Sequence, residues 1–509
     1  MNWALVIIFG VLVVALLLGL QARRGREMDL EQWSVGGRGF GTIFVFLLLA
    51  GEIYTTFTFL GGSGWAYGKG APALYILCYG ALAYTLSYWL LPAIWRYGKE
   101  HGLVSQSDFF STKYRSPYLG VLVSVVGVIA MIPYLVLQLK GLGIIVSLAS
   151  YGSISSTAAI WIVTVALTAY VMVSGIHGSA WTAVLKDIMI LGVAIFLGVY
   201  LPIHYYGNVT NMFHAIDRAK PGFLALPDSG LSVSWFISTV LLTAFGFYMW
   251  PQFFGATFSA QNERVFRRNA IFLPLYQLVL LFIFFVGFAA ILQVPGLVGP
   301  DADLSLLKLS EATFDPWVVG IIGAAGALTA LVPGSMLLMS AATLLANNVY
   351  RVFVPAASMK QVTSIARYLV PILALVALLF TFRGGDTIVA LLLMGYALVT
   401  QLFPALVASL PRHPVATKEA VACGIIAGVL TVAYITISGS TVATLIPALP
   451  QWAKDLNVGI VALIINVVVL AIVTLFTRAS TAETAPAGSA ARTATVRADN
   501  TPADQRRGA

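Results

Sequence analysis

Hydrophobic residues come in repeated runs of about 18–25 residues, separated by short polar stretches that hold most of the charge. A helix rises about 1.5 Å per residue, so ~20 residues cross a hydrocarbon layer ~30 Å thick. The runs fall at 3–21, 41–66, 72–95, 118–149, 156–176, 180–205, 232–258, 271–294, 316–348, 366–382, 386–409, 416–437 and 457–477. They predict an all-α membrane protein with about 13 transmembrane helices. Runs 118–149 and 316–348 are longer than one crossing needs, so tilt or helix continuing past the hydrocarbon is expected there. The chain has 509 residues, 59% hydrophobic and 10% charged. A soluble domain carries roughly 25% charged residues, which excludes that class.

Charge position sets the orientation. With the N-terminus outside, 21 of the 29 Lys and Arg fall in segments facing the cytoplasm, among them Arg23–Arg26, Arg96–Arg115, Arg264–Arg268, Arg351–Arg367 and the tail. The opposite segments hold six: Lys69, Arg218, Lys220, Lys308, Arg383 and Lys454. Cytoplasmic loops carry the excess, so an N-out, C-in protein of the bacterial inner membrane is expected. The first run has Arg23 and Arg24 after it and no positive residue before it, the reverse of a cleaved signal peptide; residues 1–22 read as a retained accessory helix. Because the basic residues lie between spans, the net charge of +9 does not point to nucleic acid. Cys78 and Cys423 lie inside apolar runs and offer neither a disulfide framework nor metal-ligand spacing. The tail, 480–509, is small, polar and free of aromatic residues, and is expected to be disordered and cytoplasmic. The connection at 206–231 has room for a short helix.

Two runs carry the marks of interrupted helices. FLLLAGEIYTTFTFLGGSGW sets Gly51, Glu52, Tyr54, Thr55 and Thr56 inside apolar sequence; LLTAFGFYMWPQFFG does the same with Gly246, Tyr248, Trp250, Pro251 and Gln252. They head two groups of five helices, 41–205 and 232–409, followed by 416–477. Transporters with inverted repeats place their sites at such paired breaks. A carboxylate inside a span is costly and is a functional hypothesis by default, which singles out Glu52 as a proton carrier, a cation ligand or a partner of a basic residue. Lys140 has three roles open to it: pairing with Glu52, facing an anionic substrate, or snorkelling to the interface. Lys186 and Asp187 lie near an expected helix start, so solvated or capping positions are expected. Thr329, Ser335, Ser340 and Thr343 supply hydroxyls in 316–348.

SGIHGSAWTAVLKD (174–187), YMWPQFFGATFSAQNERVFRRN (248–269), LLANNVYR (344–351) and LVSQSDFFSTKYRSP (103–117) resemble, in order and spacing, segments of the sodium/solute symporter family. LAGEIYTTFTFLG, PYLVLQLKGLGIIV and WTAVLKD are most similar to its bacterial monocarboxylate permeases. The resemblance covers about residues 1–477. It implies a five-plus-five inverted-repeat (LeuT-like) fold with one helix before and two after. It also implies a sodium site with backbone oxygens near Gly51, Tyr54 and Thr329. The hydroxyl pair of that site falls on Val332 and Pro333, which have no side-chain oxygen, and its acidic residue after Trp-Thr is replaced by Ala183. Ser335, Glu52 and Asp187 are the available substitutes. The coupling ion is therefore open between Na+ and H+, with Glu52 as the proton carrier.

The function expected is secondary active uptake of a short monocarboxylate of the pyruvate, lactate or acetate type by alternating access, with no cofactor. Proline, pantothenate or another carboxylate is the alternative cargo. Thr55, Thr56, Lys140, Tyr248, Trp250 and Gln252 are the candidate substrate-binding residues. Gly51, Glu52, Tyr54, Thr329 and Ser335 are the candidates for ion coupling. A membrane enzyme is disfavoured because the five histidines are scattered without ligand spacing. A sensor with a transporter-like fold is disfavoured because no cytoplasmic domain is expected after residue 479. Sequence does not set the oligomeric state.

Overall fold

The computed structural model describes residues 2–24, 29–51 and 53–483. Within them the chain is helical, apart from connections and one parallel bridge between Phe40 and Ala260. Glu52 and the tail from residue 484 lie outside the described residues.

The principal helices are α1 (Trp3–Arg23), α2 (Thr42–Gly51), α3 (57–69), α4 (Tyr75–Glu100), α5 (Pro117–Ala149), α6 (Ser156–Tyr206), α7 (Val233–Gly246), α8 (Pro251–Phe258), α9 (Arg264–Gln293), α10 (Pro316–Thr343), α11 (Met359–Arg383), α12 (Ile388–Ser409), α13 (Lys418–Ile437) and α14 (Val458–Glu483). Ten helices among the described residues are long and apolar enough to span a membrane, eleven if the bent pair α7 and α8 is one span. Thr42–Gly51 and Ser156–Met172 are shorter apolar helices. The 156–176 and 180–205 runs form two helical segments, Ser156–Met172 and Gly175–Tyr206, that meet at a kink within α6. It turns at Gly175, whose φ of 56° and ψ of −164° suit a residue without a side chain. The 206–231 connection carries the helix Val209–Ala219.

Starts and breaks follow from local chemistry. Asn2, Ser116, Ser155, Thr387 and Thr417 accept backbone N–H bonds at the N-termini of α1, α5, α6, α12 and α13. Between α7 and α8 the chain bends by 50°. Pro251 disfavours helical geometry at the residue before it, and Trp250 is extended there (φ −66°, ψ 131°). Between α2 and α3, threonines meet freed backbone groups of the described residues. The Thr58 hydroxyl donates to the Ile53 carbonyl at 2.7 Å and accepts from the Thr55 N–H at 3.0 Å, and the Thr55 hydroxyl accepts from the Phe57 N–H at 3.1 Å. A backbone break inside a membrane persists only when its polar groups are met in this way.

Burial runs from a central pair of helices outward. Of the apolar stretch in Pro316–Phe353, 94% is buried, against 22% in Trp3–Ala22 and Val458–Arg478. Large apolar side chains such as Trp89, Val165, Ile188, Leu430, Leu475 and Phe476 face outward, as a lipid-facing belt requires. Inside, glycines let backbones approach: a Cβ on Gly287 would collide with the Ser63 carbonyl, and one on Gly320 would fall 2.9 Å from Ala4 Cα.

The connections gather at two ends. At the basic end, Arg38 donates to the Leu103 carbonyl at 2.7 Å and Arg96 meets Glu263 at 3.1 Å. Asp108 there accepts from Asn347 and Asn348 at 2.9 and 2.6 Å. At the other end, Tyr67 donates to the Val294 carbonyl and the Gly230 N–H donates to Asp455.

Candidate functional site

One face of α5 runs along both breaks. Its residues Gly127, Ala130, Tyr134, Gln138 and Gly141 recur every three or four positions, the spacing of one helix face. A Cβ on Gly141 would collide with Thr56 Cγ2, and one on Gly127 would fall 3.0 Å from Pro251 Cγ. Between these ends, the Tyr134 ring packs edge-on against Trp250 with centroids 4.9 Å apart, and Trp250 meets Tyr396 at 5.3 Å. Gly141 and Gly127 thus bring the helix axis close to both interruptions, with Tyr134 against Trp250 between them and the Gln138 Cβ facing Gly334 of α10.

Thr55, Thr56, Gln138, Tyr248, Trp250 and Gln252 are all buried, each with at most 2% of its surface exposed. Their polar atoms differ in what they do. The Thr55 hydroxyl supports the backbone of the break. Tyr248 turns to Ser87 of α4, away from the α5 face. Trp250 closes a stack with Tyr134 and Tyr396. The Thr56 hydroxyl, by contrast, and both ends of the Gln138 carboxamide have no hydrogen-bond partner among the described residues. An unpartnered buried polar group costs about 1–3 kcal/mol, which makes the Thr56 hydroxyl and the Gln138 carboxamide candidate ligand-binding groups. Gln106 supports the second break from outside this set: its amide donates to the Met249 carbonyl at 2.6 Å.

Lys140 faces neither break. Its ammonium lies 3.1 Å from the Asp303 carboxylate and donates to the Asp386 carbonyl at 2.7 Å. Asp303 in turn accepts from the Ile388 N–H at 3.0 Å. Burial pushes the Asp303 carboxyl up, while Lys140 and the Ile388 N–H pull it back. With its ammonium engaged in this way, Lys140 is a link between α5, the 299–304 turn and the start of α12.

The expected cation region lies where α2 ends against α10. The structure overturns the solvated or capping reading of Lys186 and Asp187: Lys186 is 0% exposed and Asp187 3%. The Lys186 ammonium pairs with Asp187 at 2.8 Å and donates to the Tyr54 carbonyl at 3.4 Å. The candidate hydroxyls bond within their own helix: Thr329 donates to the Gly326 carbonyl at 2.6 Å and Ser335 to that of Val332 at 2.7 Å. Val332 and Pro333 bring only carbon to the region. A dehydrated sodium ion needs several oxygens around it, so the described residues do not fit one here.

Sequence reasoning missed Gln138 and placed Lys186 at a solvated helix start. Gln138 stands two positions before Lys140 in the same apolar run. Its signal was the four-residue spacing from Tyr134, which puts a carboxamide and a phenol on one helix face.

Interrupted helices, a face of buried polar groups between them and a lipid-facing exterior define a membrane transporter. A model described as the sodium:solute symporter family matches residues 33–446. The chain is 68% identical over 478 residues to an uncharacterized symporter, YhjB, of Bacillus subtilis (strain 168), covering 94% of this chain and 98% of that one. It is 29% identical over 422 residues to a monocarboxylate transport permease protein of Rhizobium johnstonii (strain DSM 114642 / LMG 32736 / 3841), covering 79% and 82%. Among solved structures it resembles the substrate-bound outward-open state of a Na+-coupled sialic acid symporter. The TM-score is 0.75 at 16% identity, covering 93% of this chain and 98% of that one. The chain belongs to the sodium:solute symporter family. Its relatives are symporters, not enzymes.

Proposed function

We propose that the protein takes up a short monocarboxylate, of the pyruvate, lactate or acetate type, by cation-coupled alternating access across the bacterial inner membrane. The observation that carries this reading is the face of α5 that meets both helix breaks while holding the Gln138 carboxamide without a partner. The 57–69 and Pro251–Phe258 helices both begin at the breaks. Helix N-termini carry partial positive charge and free N–H groups, which suit a carboxylate. The Thr56 hydroxyl and the Gln138 amide N–H are donors for the same group, and the Trp250 ring suits a short apolar tail. The relative described as a monocarboxylate transport permease supports this choice of cargo.

In the full reading, 13 spans cross the membrane with the N-terminus outside. The shorter helices Thr42–Gly51 and Ser156–Met172 belong to two of them. Residues 41–205 and 232–409 form two inverted repeats, so the breaks after Gly51 and at Trp250 exchange roles as the repeats rock against each other.

Radiolabelled uptake in proteoliposomes tests the cargo. Pyruvate, lactate or acetate is expected to accumulate against a gradient, and each of the three is expected to compete with the others. Accumulation of proline or pantothenate with no response to these acids would overturn the assignment.

A further inference from the structure

We propose that the Lys186 ammonium is itself the resident cation at the end of α2, standing where a sodium ion would otherwise be held, so that no sodium binds there. This rests on the symporter reading but not on the identity of the carboxylate.

Three observations converge on one point. The Lys186 Nζ lies 3.4 Å from the Tyr54 carbonyl oxygen. A Cβ placed on Gly51 would fall 3.6 Å from the same Nζ and 3.8 Å from Val332 Cγ1. Gly51 and Tyr54 thus border the ammonium and Val332 lies beside Gly51, and they belong to the two elements whose oxygens were expected to cage an ion. The side chain is fully buried, so it holds this position as a built-in part of the site. Tyr276 borders the pair, with its ring 4.9 Å from that of Tyr54 and its hydroxyl beside Asp187. Glu52 follows Gly51 in the chain and lies outside the described residues.

The chemistry of the surroundings suits an ammonium and not a bare ion. A lysine head needs acceptors on part of its surface and tolerates carbon on the rest, and here it has the Asp187 carboxylate and the Tyr54 carbonyl. A sodium ion in the same place would lack the hydroxyls absent from Val332 and Pro333. It would also sit within a few ångströms of another positive charge. At an effective dielectric of about 20, two unit charges ~4 Å apart repel enough to lower affinity by a factor on the order of 10³. Asp187 offsets one such charge, not two.

Thermal unfolding of the purified full-length protein in detergent, in sodium chloride against choline chloride at equal ionic strength, tests this directly. A ligand that binds only the folded state raises Tm, so the expected result is no sodium-specific shift. In proteoliposomes, pyruvate uptake is expected to stay within about twofold when choline replaces sodium at constant pH, since no sodium affinity is gained or lost. A saturable, sodium-specific rise in either readout overturns the proposal. Lys186→Ser removes the ammonium and supplies a hydroxyl, so a sodium-specific Tm shift confined to that variant supports it. If the variant does not fold, the wild-type readouts decide. Failure of uptake in both salts counts against the carboxylate assignment, while the thermal shift still decides this one.

Discussion

The Lys140 ammonium reaches the Asp303 carboxylate at 3.1 Å across 163 residues of sequence. The two are not equally sheltered: the Asp303 side chain is fully buried and that of Lys140 is 19% exposed. Asp303 also holds the Ile388 N–H at 3.0 Å, so one carboxylate fastens the middle of α5 to the start of α12.

Breaking this link strands a buried charge. Removing one partner of a buried pair is strongly destabilising, and the exposure of Lys140 moderates the loss. Lys140→Met is expected to lower stability by about 2 kcal/mol, and Asp303→Asn by less, because the amide oxygen still accepts from Ile388. The double variant is expected to recover part of the Lys140→Met loss. Denaturant unfolding of all four proteins in detergent measures the coupling; additive losses would mean the pair contributes nothing jointly.

At the basic end, Asp108 accepts four hydrogen bonds, from the N–H groups of Val104 and Ser105 at 3.0 and 3.1 Å and from the amides of Asn347 and Asn348 at 2.9 and 2.6 Å. It ties the loop before α5 to the helix that continues α10. Asp108→Asn places an amide donor against donors, and hydrogen bonds to charged groups contribute about 1.5–3 kcal/mol each. A stability loss on the order of 2 kcal/mol is expected, measured by denaturant unfolding in detergent. An unchanged unfolding midpoint would show that this network contributes nothing to the fold.

Much of this was readable from the chain. The apolar runs carry the helices, and Gly51 to Thr56 and Gly246 to Gln252 mark the two breaks, because glycine, proline and hydroxyl residues in an apolar run signal freed backbone groups. What stayed hidden depends on long-range contact. The burial of Lys186 goes with its contact to the Tyr54 carbonyl, 132 residues away in the chain. Lys140 pairs with a residue in a distant turn that no local pattern marks. Gln138 left little trace because a single amide scarcely alters the hydropathy of a long apolar helix.

Close approach at Gly141 offers a test of the α5 contact. Gly141→Ala sets a methyl group against Thr56 Cγ2, with the Thr56 Cβ only 3.0 Å away. Overpacking of this kind costs typically 1–3 kcal/mol, and here it falls on the residue at the first break. Uptake is expected to drop by about tenfold or more, with roughly 1–2 kcal/mol lost in stability. Adding Thr56→Ser, which deletes Cγ2 and keeps the hydroxyl, is expected to restore part of both. No gain from the second substitution would mean that the two residues do not meet at the break.

Gln138 separates binding from folding most sharply. Its carboxamide is buried with no hydrogen-bond partner among the described residues, so replacing it by leucine of similar size removes two unsatisfied polar ends. Gln138→Leu is expected to raise stability by about 1 kcal/mol. The same substitution deletes the donor proposed for the substrate carboxylate, worth roughly 1.5–3 kcal/mol when the acceptor is charged, so the apparent KM for pyruvate is expected to rise by about tenfold or more. Gln138→Glu presents a negative charge to an anion and is expected to abolish uptake without unfolding the chain. The decisive pattern is opposite movement in Gln138→Leu, with Tm up and affinity down. A fall in both would mark Gln138 as a structural residue whose partners lie within the protein, and a gain in stability with unchanged KM would remove it from the substrate path.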